Sequence, residues 1–487
     1  MNSYSHSQAN EQQFAEQKLY EQVASRIAGM IESGTLRVGD RVPSVRSLSV
    51  QQRVSVSTVL QAYRTLENQG WLEARPQSGY YIRRAKRSMP PEPEMSQPAL
   101  QATPVTISEL VMQLLQTKNQ PGMIQMGAAV GDPSSFPARQ LNRAMLAAVK
   151  KYPDEINGYD IAPGSPVLRQ QIARRMMEAG CTLTADDIVI TTGATEALNL
   201  CLRAVAECGD TILLESPTYY SVLQILESLG LRALELPTHP REGLSLQALE
   251  YALEREKIAA CLLMPSFHNP LGSCMPEANR RQLVKMLAAR EIPLIEDDVW
   301  GDTCFQAPRP RAVKSYDEEG LVLFCSSFSK TIAPGYRVGW AAPGRWQHKV
   351  EYLKMVTSMA NPTLPSLAIA EFLENGGYDH HLRHIRRINA EKVQDTIEML
   401  EKYFPEGTKS TRPLGGQFLW VELPPKADTL ELYADALRHG IAFTPGALFK
   451  AKDKYRNCLR LYVGHHDRAT TERAIQKLGE LAAQHAL

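Results

Sequence analysis

The sequence predicts an α/β protein in two unequal parts. A small front module of three helices and a hairpin precedes a large body built on a mainly parallel sheet with helices on both faces. Three observations carry this reading. Apolar residues recur at helical spacing through most of the first seventy positions and then give way to two short strand-like runs around a turn. Five prolines fall between residues 88 and 106, where large apolar side chains are few. Beyond Ile107, compact apolar runs alternate with helix-like stretches, the pattern of buried parallel strands joined by helices. A chain of 487 residues exceeds one compact domain. The boundaries read as 17–85 for the front module, 86–106 for a linker and 107–487 for the body.

In the front module, Leu19, Val23, Ile27, Met30 and Ile31 mark one face of a first helix that Gly34 ends. Gly39-Asp40-Arg41-Val42-Pro43 is a turn, and Ser44 caps a short helix from Val45 to about Gln52. Ser55 caps a longer third helix, with Val59, Ala62, Tyr63 and Leu66 on one face and Gly70 as its stop. Trp71 to Arg75 reads as a strand, Pro76-Gln77-Ser78-Gly79 as a turn and Tyr80-Tyr81-Ile82 as the return strand. This order is the plan of a winged helix, in which the third helix enters the DNA major groove and the hairpin touches the flanking backbone. Residues 1–88 hold twelve Lys/Arg against seven Asp/Glu, a modest basic excess in a chain whose formal net charge is only +1.

The Pro-rich stretch cannot pack a core and is expected to act as a semi-extended spacer. The basic run Arg83-Arg84-Ala85-Lys86-Arg87 before it can add phosphate contacts. All eight cysteines lie after residue 180 without a C-x-x-C pair, and Cys261 and Cys325 sit inside apolar runs. Buried thiols in a reducing compartment fit this better than disulfides or a zinc site. Met1-Asn2-Ser3-Tyr4 lacks the features of a secretion signal, and no run approaches the ~18 apolar residues of a membrane span. A soluble cytoplasmic protein without a metal centre is expected.

In the body, Asp187–Thr191, Thr211–Leu214, Ala259–Met264, Pro293–Ile295 and Leu321–Phe324 are strand-like, and Ala194 to about Ala206 is helical. Just after the last of these strands comes Ser327-Phe328-Ser329-Lys330, followed across a Pro-Gly turn by Arg337. A lysine set among cations and apolar groups is a candidate amine nucleophile. The Ser327 and Ser329 hydroxyls and the Arg337 fork suit a phosphate. An imine-forming lysine beside a phosphate cup is what pyridoxal 5'-phosphate (PLP) requires. Thr191-Thr192-Gly193-Ala194-Thr195 closes a strand and opens a helix, whose N-terminal amides and Thr195 hydroxyl can hold the same phosphate. Ile295-Glu296-Asp297-Asp298 ends another strand, where an acid can pair with the pyridinium nitrogen. Phe267-His268-Asn269-Pro270 offers an amide for the phenolic oxygen, and Pro217-Thr218-Tyr219 offers a ring that can stack.

On these motifs the front of the chain resembles the GntR family. The shared words are Gly39-Asp40-Arg41-Val42-Pro43-Ser44-Val45-Arg46, Val54-Ser55, Thr58-Val59, Ala62-Tyr63 and Gln77-Ser78-Gly79-Tyr80-Tyr81. The resemblance implies DNA contacts by Arg46, Ser55, Ser57, Thr58 and the wing around Arg75. Many GntR proteins carry an arginine directly after the Ser55 position, where this chain has Val56, which can touch a thymine methyl but cannot read guanine bidentately. From about residue 120 onward the chain resembles the fold-type I aminotransferases, which implies a smaller C-terminal α/β subdomain. The whole resembles the MocR subfamily of bacterial transcriptional regulators. By that resemblance Lys330 is the Schiff-base lysine, Asp297 the pyridinium partner, Asn269 the partner of the phenolic oxygen and Tyr219 the stacking ring. Ala194, Thr195, Ser327, Ser329 and Arg337 form the phosphate cup. Tyr159 reaches the phosphate of the other subunit in a homodimer, and Arg460 grips an amino acid's α-carboxylate.

Trp300 departs from the enzyme pattern, because active aminotransferases carry a tyrosine three residues after the pyridinium aspartate. Two readings follow. One is a PLP-dependent regulator that binds operator DNA and senses an amine or amino acid by Schiff-base exchange at Lys330. The other is an active amino-acid aminotransferase carrying an accessory DNA-binding domain.

Overall fold

The computed structural model describes residues 18–32, 35–36, 39–68, 71–75, 78–82, 89–107, 111–112, 122–127, 131, 133–451 and 454–486. They fall into two compact units that divide between Met89 and Pro90.

The front unit contains α1 (Leu19–Glu32), α2 (Val45–Gln52), α3 (Val56–Asn68) and the antiparallel hairpin β1 (Leu72–Arg75) and β2 (Gly79–Ile82). Its core is the expected face of α3, with Val59, Ala62, Tyr63 and Leu66 buried against Leu48, Leu72 and Ile82. The Tyr63 hydroxyl donates to the Pro43 carbonyl at 2.6 Å, so this buried polar group is satisfied. Ser44 caps α2 by accepting from Ser47 N–H, and Arg53 closes it in the left-handed region at φ 52°. The first helix differs from expectation. Its buried stripe runs through Val23, Ala24, Ile27 and Ile31, rotated toward Ala24, and this leaves Leu19 and Met30 exposed at its margin. Gly34, Gly70, Pro76, Gln77 and the basic run Arg83–Arg87 lie outside the described residues.

The large unit is organised by a sheet of β3 (Thr103–Pro104), β4 (Val189–Thr191), β5 (Thr211–Ser216), β6 (Arg232–His239), β7 (Ala260–Leu263), β8 (Leu294–Asp297), β9 (Val322–Ser327) and β10 (Gly339–Ala342). Their spatial order is β3-β6-β5-β7-β8-β9-β10-β4, with Gly243–Leu244 added beside β6. The five strands from β6 to β9 in this order are mutually parallel; β10 runs against them, and β4, antiparallel to β10, points their way again. Alternation along each strand explains the continuous apolar runs. Ile212, Leu214, Leu262, Ile295 and Leu323 pack on one face with α4 (Ala194–Val205) and α5 (Tyr220–Ser228). Leu213, Cys261, Leu263, Leu294 and Val322 pack on the other with α6 (Leu246–Arg255) and α7 (Glu277–Ala288). Both faces are covered, so neither can be polar.

The smaller C-terminal layer has the antiparallel strands β11 (Lys409–Ser410), β12 (Phe418–Glu422), β13 (Thr444–Pro445) and β14 (Cys458–Tyr462). It packs on α8 (Gly377–Tyr403), α9 (Thr429–Arg438) and α10 (Arg468–His485). Cys261 and Cys325 are buried in β7 and β9.

The Pro-rich stretch is corrected by the structure. From Pro90 onward it is sewn to the large unit instead of running as a spacer. Pro91 accepts from Ser410 N–H at 2.9 Å, and Ser96 N–H donates to Thr238 at 3.2 Å while its hydroxyl donates to Ser216 O at 2.5 Å. Thr103 and Pro104 add an antiparallel edge strand to β6, and Ala102, Val105 and Ile107 are buried. Proline at an edge strand leaves no ladder donor missing, which is why a Pro-rich segment can end in a sheet.

Because the two units have separate cores, Leu66→Ala is expected to destabilise the front unit by ~2–5 kcal/mol. The transition of the large unit should stay in place. Calorimetry in which both transitions moved together would show that the units unfold as one.

Candidate functional site

The sheet topology brings the predicted residues to one edge. Five parallel strands end there, and the chain beyond them carries Ala194 and Thr195 (after β4), Tyr219 (after β5), Asn269 (after β7), Asp297 (ending β8) and Lys330 (after β9). Ligands of open α/β sheets bind at this edge.

Lys330 closes the short 3₁₀ turn Phe328–Lys330, which Ser327 caps by accepting from Ser329 N–H at 3.3 Å. Its Nζ stands 5.3 Å from the centre of the Trp300 ring, within cation–π range. Trp300 is buried and held edge-on against Phe418 at 4.7 Å.

The triplet Glu296-Asp297-Asp298 divides its labour by strand alternation. Glu296 accepts from Val313 N–H and Lys314 N–H, both at 2.8 Å, and Asp298 pairs with Arg309. Asp297 accepts only a long 3.4 Å bond from Val299 N–H and feels the charge of Lys330. Burial pushes its carboxyl up to about 7, and Asp298 adds to the rise. A buried carboxyl so lightly bonded is suited to a protonated ring nitrogen.

The phosphate cup is built around a glycine. Gly193 has φ 79° and no side chain caps α4, so the N–H groups of Ala194 and Thr195 open the helix. Arg337, itself left-handed at φ 53°, donates to Ser329 Oγ at 3.3 Å and to the Thr192 carbonyl at 3.2 Å. A Cβ on Gly193 would collide with this guanidinium, so the glycine lets the cation lie flush against the helix N-terminus. Cation, hydroxyls and amides together fit a phosphate dianion.

Asn269 is buried, and its Oδ1 accepts from Arg460 at 2.9 Å. Arg460 is fully buried, bonded also to Thr444 Oγ1 at 3.0 Å and to the Gly127 carbonyl, with Phe418 and Phe449 near 5 Å. These partners are neutral, and burial pulls its pKa down. A carboxylate would offset that desolvation. Tyr219 caps α5, its ring tilted against Tyr220 at 4.7 Å and its hydroxyl raised by burial. Tyr159 is not brought into this cluster: it is 81% exposed beside Asp160–Ile161.

Sequence reasoning missed the ionic support behind these residues, Arg309, Asp302 and Tyr378, and the neutral His268 behind Asn269. His268 Nε2 lies 3.4 Å from Glu215; burial pulls the imidazole down to about 3 and pushes Glu215 up to about 7. No motif spacing announces partners so far apart in the chain.

In the front unit, Arg46, Ser55, Val56 and Ser57 are exposed. The Ser55 hydroxyl accepts from Thr58 N–H at 3.1 Å and lies 2.7 Å from the hydroxyls of Ser57 and Thr58, so it caps α3 while sitting at its exposed start. Arg75 is bound by Glu73 at 2.6 Å and stacked over Tyr81 at 4.4 Å, which places its guanidinium along the hairpin.

A sheet of this topology, with a lysine, a buried acid and a helix N-terminus beside an arginine at one edge, fits a pyridoxal-phosphate protein of the aminotransferase fold. Comparison agrees: the aminotransferase class I and II family matches residues 124–478, and the gntR family of bacterial regulatory proteins matches residues 19–82. The chain belongs to the class I and II aminotransferase family and carries a gntR-family domain in front of it. It is 38% identical to the uncharacterized HTH-type transcriptional regulator YjiR of Escherichia coli K12, over 95% of this chain and 98% of the relative. It is 39% identical to YdcR of the same organism, described in the same words, over 95% and 99%. Among solved structures, LysN, an α-aminoadipate aminotransferase of Thermus thermophilus complexed with N-(5'-phosphopyridoxyl)-L-leucine, matches at 29% identity and TM-score 0.71. That match covers 77% of this chain and 94% of LysN. The kynurenine aminotransferase of Pyrococcus horikoshii matches at 27% and 0.72, over 78% and 95%. The cofactor is pyridoxal 5'-phosphate.

The raised Asp297 carboxyl gives a pH prediction for protein stripped of cofactor. Its folded pKa of about 7 lies above the unfolded value of ~3.9, so stability is lost as pH rises from ~4 to ~7. Asp297→Asn removes this loss. Relative to the native chain, the stripped variant should gain on the order of 2 kcal/mol between pH 5 and pH 7 in denaturant unfolding. A pH-independent difference would rule out a raised Asp297.

Proposed function

We propose that the protein is a MocR-type transcriptional regulator that binds operator DNA through its front module and senses an amine or amino acid by Schiff-base exchange at Lys330. The observation that carries this reading is the coexistence, in one chain, of a fully built helix-turn-helix and a cofactor set in which only the tyrosine expected at position 300 is replaced. When bound, PLP supplies an aldehyde that condenses with amines and a ring that accepts electrons. Lys330 holds the aldehyde carbon, Asp297 the ring nitrogen and Asn269 the phenolic oxygen. Tyr219 stacks on the ring, while Ala194, Thr195, Ser327, Ser329 and Arg337 hold the phosphate. Arg460 receives the carboxylate of an amino-acid ligand, a role its buried charge and neutral partners support. Trp300 has no hydroxyl for the phenolic oxygen, so ligand capture is retained while turnover is slow.

The protein works as a cytoplasmic homodimer in this reading. Tyr159, Ile161, Tyr352, Met355, Val356 and Met359 are large side chains 42–81% exposed, an apolar set suited to a second copy. Tyr159 then reaches the partner's phosphate. Two front modules meet two operator half-sites, with Arg46, Ser55, Ser57, Thr58 and Arg75 at the DNA.

The reading is tested by borohydride reduction and peptide mapping. The pyridoxyl group should fall on Lys330 and vanish in Lys330→Ala. In the same preparation, candidate amines and amino acids that change the visible spectrum should also change operator affinity. A ligand that shifts the spectrum and leaves operator affinity untouched would separate the two halves. Arg46→Ala should weaken operator binding and lower its salt dependence; unchanged affinity would remove Arg46 from the interface.

The second reading, a working aminotransferase, is favoured by Arg460 and by the aminotransferases among the structural relatives. Turnover of amino acids at ~1–10³ s⁻¹ by the unmodified protein would establish it in place of the first.

A further inference from the structure

Beneath the cofactor residues runs a buried chain of polar groups that none of the assigned roles uses. It starts at Asp298, one residue past the pyridinium acid, whose Oδ2 is bound by Arg309 Nη2. Arg309 Nη1 donates to Asp302 Oδ1 at 2.8 Å. The Tyr378 hydroxyl stands 2.9 Å from Asp302 Oδ2 and 3.0 Å from Thr331 Oγ1, and Thr331 is the residue after Lys330. His381 Nε2 contacts the Thr331 carbonyl at 2.6 Å, so the hydroxyl and the carbonyl of Thr331 are both held. The side chains of Asp298 and Arg309 are 0% and 8% exposed, and Tyr378 is 2% exposed. Burial alone would raise the Asp302 carboxyl, yet Arg309 and Arg175 hold it below the usual carboxylate range. The anion therefore persists as a fixed anchor for the Tyr378 hydroxyl.

The middle of this chain is the turn that carries Trp300. Asp302 belongs to the 3₁₀ turn Gly301–Thr303, and a Cβ on Gly301 would run into Arg309 and both oxygens of Asp298. Arg386 Nε donates to the Asp302 carbonyl at 2.8 Å, and Gly416 N–H donates to Thr303 Oγ1 at 3.1 Å, which ties the same turn to the C-terminal layer. One network thus reaches Asp297, Trp300 and Lys330, three groups that must keep register with one another around a single ring. We infer that Arg309, Asp302 and Tyr378 are positioning residues that set Lys330 over Trp300 at a fixed distance from Asp297, and that Lys330 captures PLP efficiently only while this bridge is closed. The inference rests on the reading of Lys330 as the imine lysine. It extends that reading to residues that never touch the cofactor.

The bond between Tyr378 and Thr331 allows a clean test. Tyr378→Phe keeps the ring, which packs on Phe328 at 6.1 Å, on Phe372 at 6.4 Å and under Arg175 at 4.7 Å, and removes only the hydroxyl. Thr331→Val removes the other end of the same bond, and Thr331→Ser restores it. Stripped protein is mixed with PLP, and the visible band that reports capture by Lys330 is followed in time. Displacement of a reacting group by about 1 Å costs up to about a hundredfold in rate, so a loss of at least about tenfold is expected for Tyr378→Phe and for Thr331→Val. The double variant should lose no more than Tyr378→Phe alone, because that variant already removes the bond to Thr331 together with the bond to Asp302. Thr331→Ser should capture at close to the native rate, and unfolding midpoints of all variants should follow a pattern unrelated to the capture rates. Unchanged capture in Tyr378→Phe would overturn the inference, as would additive losses that track the midpoints. If the native protein itself forms no reducible adduct at Lys330, the reading of the lysine fails and not the bridge.

Discussion

Parallel pairing of β8 with β9 places Asp297 directly opposite Cys325. Most of what this protein can do depends on that register. Two residues beyond Cys325 the strand gives way to the Ser327-capped turn, and that turn delivers Lys330 to the edge where Asp297 already stands. A shift of one residue would turn Asp297 to the opposite face and present Glu296 or Asp298 instead. Both of those acids have other work: Glu296 accepts two backbone N–H groups after Ala312, and Asp298 neutralises Arg309. The register is therefore secured by polar groups on one side of the strand and by the apolar alternation of Leu294 and Ile295 on both faces of the sheet.

Around this register the chemistry is arranged by burial. Asp297, Asn269 and Arg460 are each almost fully desolvated, Asp297 with one long hydrogen bond and Arg460 with neutral partners. Such groups cost stability on their own. A ring nitrogen, a phenolic oxygen and a carboxylate are the partners that would relieve them. The phosphate end is different in kind, because it relies on a helix N-terminus and a guanidinium that Gly193 allows to meet closely. Under the proposed reading, the protein thus stores unfavourable desolvation where the ligand's reacting end would bind and favourable preorganisation where its phosphate would bind.

The segment from Pro90 to Ile107 belongs to the large unit and is bonded into it. The Ser96 hydroxyl is bonded to the carbonyl of Ser216, and Ser216 leads through Pro217 and Thr218 to Tyr219. Tyr455, three residues before the strand that bears Arg460, approaches the Ser216 hydroxyl at 2.9 Å. This segment is therefore anchored beside Tyr219 and near the strand that bears Arg460.

Much of this was legible in the amino-acid order. The face of α3, the caps at Ser44 and Ser55 and the five buried strands all depend on local spacing, which survives without knowledge of the fold, whereas the roles of the candidate site residues came from family resemblance. Leu19 and Met30 were misjudged because helical periodicity gives a stripe but not its rotation, which the packing of α1 against α3 decides. The Pro-rich segment was misjudged because composition shows that it cannot build a core of its own. It is silent on whether an existing sheet edge will accept it. How Glu296 and Asp298 are engaged while Asp297 is left lightly bonded, how Gly193 lies under Arg337, and how Arg309, Asp302 and Tyr378 join Asp298 to Thr331 were decided only by tertiary structure. The physical reason is that these bonds join residues up to some 145 positions apart, and their strength comes from shared burial that exists only once the sheet and its helices have closed around them.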